Sequence, residues 1–293
     1  MTTTTRTAMT DPLLASLTEP LGDPLVRHAL IEVGLIGLLG GCLGCWIIEY
    51  GLPYAAESVA HCMLPGLVGA ALIGAPLLAG GAMGLLAGAA AIALATRVPS
   101  IERDTAVAVA VTALFGLGAL MALSPDSPPG IRNLLFGDVL AVSTGDLALA
   151  AGLTALTIGA LAAIHPRLLA AAFDPGAARG LGVDPRRAQA VLLVLLALAV
   201  LVTVQGLGNL LAVASLVGPA AVARPLATRM SSMMLLACAI AIASGFAGLY
   251  ASYFLDLAAG ASVAAATVLV CLVVRLASAV GVNRIPRPAA SAS

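Results

Sequence analysis

Residues Ala55–Ala71 read AAESVAHCMLPGLVGAA. Glu57, Ser58 and His61 interrupt an otherwise apolar or small-residue run. Glu57 and His61 are four residues apart, one helical turn, so a helix projects both from one face. An acid and an imidazole at membrane depth are costly unless they face a partner, an ion or a water-filled path. Together they form a nitrogen/oxygen chelate suited to Mn, Fe or Zn. The alternative is a helix-start acid beside an interfacial histidine, each satisfied by water.

The rest of the chain sets that pair in a membrane. Of 293 residues, 61% are hydrophobic and 10% charged, more apolar surface than a water-soluble core can use. The fold class expected is all-α, a polytopic membrane protein. Net charge is zero, which gives no sign of a nucleic-acid partner. All fourteen basic residues are arginine. Without lysine, a GxxxxGK[ST] phosphate loop and Schiff-base chemistry are both excluded, so any ATP is bound by another chain. The five cysteines are scattered through apolar segments, unlike a secreted disulfide framework. Cys42 and Cys45 form a CxxC inside an expected helix, where packing is the plain reading and redox or metal use the alternative. The first 28 residues are Thr-rich and Pro-punctuated and do not read as a cleavable signal peptide.

Apolar runs near bilayer length fall at 29–48, 58–75, 77–96, 104–123, 146–164, 188–206, 209–223, 231–251 and 256–276. Nine spans are expected, with eight or ten as alternatives, in a permease domain over 29–276 flanked by tails at 1–28 and 277–293. The sixth and seventh runs are broken only at Gln205-Gly206-Leu207-Gly208-Asn209, which reads as a turn or as the unwound middle of one helix. With the N-terminus outside and the C-terminus inside, Arg97, Arg103, Arg167, Arg179, Arg186, Arg187, Arg224, Arg229, Arg275, Arg284 and Arg287 are cytoplasmic. Arg6, Arg27 and Arg132 then lie outside, as the positive-inside rule requires.

Two connections exceed a turn. Residues 124–145 lie outside and contain an apolar segment at Leu134–Val142. Residues 166–187 lie inside. There Asp174 as N-cap and Pro175 at the first position predict a short helix closing near Gly180 or Gly182, a natural docking element. Other polar residues have plainer expectations. Asp138 and Asp256 are solvated in outer loops, and His28 and His165 are interfacial. Glu102, Arg103 and Asp104 neutralise one another, and Arg224 and Arg229 are anchors. Gln205 and Asn209 are expected to satisfy backbone at the break, with amides presented to a transport path as the alternative.

Six segments resemble, in order, the permease subunits of manganese/zinc/iron ABC importers. ESVAHCMLPG resembles that family's D-x-x-S-H-A-x-L-P-G signature, and IERDTAVAVAVTALFGLG its E-D-T-A segment. LLFGDVLAVSTGDL is similar to its L-F-G-D-I-L motif. FDPGAARGLGV is similar to its F-D-x-x-x-A-x-x-x-G coupling helix. GNLLAVASLVGPAAVAR and GLYASYFLDLAAGASVA resemble its G-x-L-L and G-L-x-x-S-Y stretches. The resemblance covers about residues 27–276.

The resemblance implies a transport subunit rather than an enzyme, located in a bacterial cytoplasmic membrane. It implies a homodimer, two cytoplasmic ATP-binding subunits and an extracytoplasmic metal-binding receptor protein. No permanent cofactor is implied, only transported Mn, Zn or Fe. Carried over by position, the metal residues are Glu57 and His61, and the coupling residues are Phe173, Asp174, Pro175, Ala178 and Gly182. Glu57 stands where the family has aspartate, Glu49 where relatives often carry a basic pair, and Ala258 or Ala259 where proline is usual. A proton-coupled secondary transporter with Glu57 as proton carrier is the rival class, and a non-transporting scaffold a third.

Overall fold

A computed structural model describes residues 22–95, 103–124, 137, 139–180 and 182–279, and every regular element among them is helical. The helices are α1 (Pro24–Glu49), α2 (Pro53–Leu72), α3 (Leu77–Ala95), α4 (Arg103–Leu123), α5 (Thr144–Phe173), α6 (Pro175–Gly180), α7 (Pro185–Leu207), α8 (Asn209–Ala223), α9 (Met230–Leu255) and α10 (Ala259–Ala279). Each of the nine apolar runs coincides with a helix. Seven of them are long and apolar enough to cross a membrane, while Leu77–Ile92 and Leu211–Leu226 are shorter. Leu86, Leu120, Leu235 and Leu269 face outward in the isolated chain, as a lipid-facing surface does.

Local chemistry starts and stops these helices. Asp23 caps α1 by accepting the Leu25 N–H at 2.9 Å, with Pro24 at the first position. Ser143 and Asp146 form a reciprocal capping box on α5. α9 ends at Asp256, whose φ of 55° is left-handed; its side chain is exposed, as expected.

Glycine lets α1 become the spine. Gly37 and Gly41 face α9, and a Cβ on Gly41 would lie 2.5 Å from the Cys238 backbone. Gly40 and Gly44 face α8, and a Cβ on Gly44 would overlap the Leu216 carbonyl oxygen. Helices without side chains at the crossing approach to backbone contact and gain dispersion that lipid cannot supply. These contacts also fix direction. Gly37 meets Ile242 and Gly41 meets Cys238, so α9 runs against α1; Gly40 meets Leu216 and Gly44 meets Ala220, so α8 runs along it.

The break at 205–209 is a turn. A Cβ on Gly206 would come within 3.1 Å of Ile36 and 3.3 Å of the Glu32 side chain, so the end of α7 lies level with the start of α1. Its first residues, among them Ala188, line a groove with Arg167 and Leu168 of α5. Leu168 in turn lies level with Tyr50, just past the end of α1: the Tyr50 hydroxyl donates to the Leu168 carbonyl at 3.0 Å. α7 therefore rises antiparallel to α1, reverses at Gly208 (φ 77°) and descends as α8.

A second group forms around α2. Gly66 sits against Gly80 and Gly84 of α3, and Gly118 of α4 against Leu64 and Pro65. α5 corrects one expectation. The fifth span was read as ending before Pro166, yet the helix runs 30 residues to Phe173. Proline removes one backbone donor and crowds the preceding turn, but Leu168 and Ala171 beyond it are buried and Tyr50 holds the Leu168 carbonyl. His165 accordingly lies within a helix, its ring edge-on to Trp46 at 5.2 Å.

Of the expected segment 134–142, a 3-10 turn is present at Val139–Ala141. Leu134 and Asp138 lie outside the described residues, as do Glu102, Arg97, Arg132 and the side chains of Arg103 and Asp104. Glu49 accepts from Arg224 at 2.9 Å, so the acid that departs from the family's basic pair is matched by an arginine from the end of α8.

Two polar residues, Glu32 and Asn209, are buried in the bundle. Glu32 is 1% exposed with Oε2 unpartnered, and Asn209 is 1% exposed with neither amide atom hydrogen-bonded. Asn209 therefore does not satisfy backbone at the turn. An unpaired buried carboxyl costs about 1–3 kcal/mol, so Glu32→Leu, similar in volume, is expected to stabilise the bundle. The melting temperature in detergent rises by about 2–4 °C per kcal/mol recovered; a fall shows that the carboxyl is hydrogen-bonded in the membrane protein.

Candidate functional site

α2 begins at Pro53, whose missing N–H is no loss at a helix start. Ser58 donates to the Tyr54 carbonyl at 2.9 Å, and Ala56, Ala60 and Leu64 are buried toward the core. The adjacent face, about 100° further round the helix, carries Glu57 and His61. The structure brings these two together: His61 Nε2 lies 3.7 Å from Glu57 Oε1. The Glu57 side chain is 55% exposed and that of His61 23% exposed, so the carboxylate opens outward from this chain while the imidazole lies half-sunk behind it.

The imidazole is held by packing. Its ring lies 4.5 Å, centroid to centroid, from Phe115 of α4 at a 40° tilt. Its Nδ1 is buried without a hydrogen-bond partner. Cys62, next in sequence, turns the other way, against Gly88 of α3. Among the described residues no group of three or more His, Cys, Asp or Glu side chains converges. One chain thus presents two donors, nitrogen and oxygen, on an outward face. Two donors with open positions beside them suit transient ligation, since a closed cage would retain its ion.

The second expected site lies at the far end of α5. Asp174 accepts the Gly176 N–H at 3.0 Å through Oδ1, and α6 runs Pro175–Gly180 as expected. Ala178 is buried, Phe173 is 72% exposed, and Gly182 turns the chain at φ 75°. Arg187 pairs with Asp184 at 3.5 Å just beyond. All five expected coupling residues therefore lie on or beside one short capped helix, which Pro175 begins.

Sequence reasoning missed three features. Phe115 behind His61 lies on another helix, and no local spacing announces it. Glu32 was visible as an acid in LIEVGLIGL, one turn after His28, but its burial depends on packing between helices that local spacing does not announce. Cys42 was read with Cys45, whereas its sulfur meets that of Cys238 at 3.7 Å.

Comparison with known proteins agrees with the segments above. A family model described as "ABC 3 transport family" matches residues 22–278. The chain is 32% identical over 237 residues to the manganese transport system membrane protein MntC of Listeria innocua, covering 81% of this chain and 85% of that one. It is 30% identical over 247 residues to a "probable iron transport system membrane protein" of Haemophilus influenzae, covering 84% and 91%. The structure of PsaBC from Streptococcus pneumoniae in complex with Fab superposes with a TM-score of 0.83 at 26% identity, over 89% of this chain and 95% of that chain.

Proposed function

The chain belongs to the ABC 3 transport family, as the membrane permease subunit of an ABC importer, and from that premise we propose that it carries divalent Mn or Fe, with Zn as the third candidate, past Glu57 and His61. The observation that carries this reading is the pair itself: two donors 3.7 Å apart on an open helix face, with no third ligand beside them among the described residues. A second copy placed about a two-fold axis completes a four-ligand path, which is why we read the assembly as a homodimer. The relatives named for manganese and iron transport support the cargo.

On this reading the chain crosses the membrane nine times, N-terminus outside, so α6 faces the cytoplasm. The alternating directions of α1, α7, α8 and α9, together with the placement of arginines, support that topology. ATP is hydrolysed by a separate subunit that grips α6, and an outer receptor protein delivers the metal. The buried Ala178 roots α6 to the bundle, and the exposed Phe173 is the side chain offered to the partner. Movement of α6 is passed to α5 and α7, which it joins, and the helices around α2 then expose the metal to the other side.

Phe173→Glu tests the coupling contact. The residue is already solvent-facing, so the purified protein stays monodisperse. Metal uptake falls about tenfold, because a charge buried in an interface without a partner costs on the order of 1.4 kcal/mol or more. Unchanged uptake removes Phe173 from the interface. The function as a whole is tested by radiolabelled Mn uptake in cells with and without the ATP-binding partner. Uptake that persists without it shows proton coupling through Glu57 instead.

A further inference from the structure

Cys42 of α1 and Cys238 of α9 are 196 residues apart in sequence, and their sulfur atoms are 3.7 Å apart in space. The neighbouring Gly41 brings the two backbones together: a Cβ there would lie 2.5 Å from Cys238 Cα, N and Sγ alike. The Cys238 thiol also approaches the Leu38 carbonyl at 3.5 Å as donor. The two sulfurs face each other directly, and either thiol can donate to the other. The remaining cysteines are differently placed. Cys45 is fully buried among Ala220, Ala223, Met233 and Ala237, and Cys62 abuts Gly88.

We propose that Cys42 and Cys238 form a reversible dithiol–disulfide couple that, when oxidised by a peroxide, staples α1 to α9. A disulfide needs the sulfurs at about 2.05 Å across closely approaching backbones, and rotation of the two side chains supplies the closure. Hydrogen peroxide is small and uncharged and enters an apolar bundle. The half-buried Cys42 reacts first. Its sulfur attacks one peroxide oxygen, the O–O bond breaks, and sulfenic acid and water form. The Cys238 sulfur then displaces hydroxyl from the Cys42 sulfur, forming the S–S bond and a second water. Two thiols are oxidised by two electrons and one peroxide is reduced. The first step is bimolecular, and the second is intramolecular and fast.

The test counts thiols in monodisperse protein exposed to hydrogen peroxide, then denatured and labelled with a maleimide-polyethylene glycol that shifts each thiol-bearing chain on a gel. All five cysteines are free before oxidation, and the expected result is loss of two labels, regained after dithiothreitol. Cys45→Ser still loses two, Cys42→Ser loses none, and Cys238→Ser loses at most one, as the unresolved Cys42 sulfenic acid, at the same dose. Loss of two labels in either of the latter variants overturns the pairing. So does retention of all five in the wild type at a dose that oxidises a free cysteine added on the exposed end of α5, or loss that dithiothreitol does not reverse. A reducible cross-linked dimer, which needs sulfurs on two chains, overturns it as well.

Discussion

Substituting His61 with alanine is expected to abolish metal transport while leaving a folded protein. The imidazole supplies one of only two donors on the α2 face, and its ring is stacked on Phe115 rather than woven into a hydrogen-bond network. Removing even an outer partner of a metal ligand typically costs ~10–100-fold, so if His61 is the ligand proposed above, its loss lowers Mn uptake by at least that factor. Glu57→Gln keeps the volume and removes the charge; because the side chain is largely exposed, stability is unchanged and uptake falls by a similar factor. Both variants are measured by radiolabelled Mn uptake, with monodispersity in detergent as the folding control. Wild-type uptake in the double variant refutes the site.

The second large effect is structural. Gly41→Val places a branched side chain where the Cβ alone meets the backbone of Cys238. The neighbour is a helix main chain, not a flexible tip, so it cannot yield without parting α1 from α9. Overpacking ordinarily costs ~1–3 kcal/mol, and a backbone collision lies at or beyond the upper end of that range. The expected result is little or no monodisperse protein at the wild-type expression temperature. Gly152→Ala is the control: nothing lies within 4 Å of a Cβ at that position, and alanine is the better helix former. Equal yields for Gly41→Val and wild type would show that the α1–α9 crossing does not hold the bundle.

Much of this organisation was legible in one dimension because lipid imposes a simple rule: apolar runs of sufficient length become helices. All nine runs coincide with helices, and the Asp174-Pro175 start of α6 appears where capping chemistry put it. What escaped reading depends on neighbours distant in sequence. The fifth apolar run stops at 164, but burial of Leu168 and Ala171 and the Tyr50 contact keep α5 helical beyond Pro166. Cys42 offered Cys45 as an obvious mate, three residues away, while its actual neighbour comes from α9. Glu49 looked like an uncompensated acid until Arg224 arrived from the end of α8. The Glu57/His61 pair was readable because one helical turn is local; Phe115, which braces it, was not.

The unbroken course of α5 has a mechanical consequence. Thirty helical residues extend ~45 Å, against a hydrocarbon layer of about 30 Å, so α5 is a lever arm with α6 hung from its overhanging tip. Rocking such a rod by only about 5° about its far end sweeps the tip through roughly 4 Å, simple trigonometry on that length. On the proposed reading, a modest push from the ATP-hydrolysing partner becomes a tilt within the lipid, and Pro166 lies inside the helix rather than at its end.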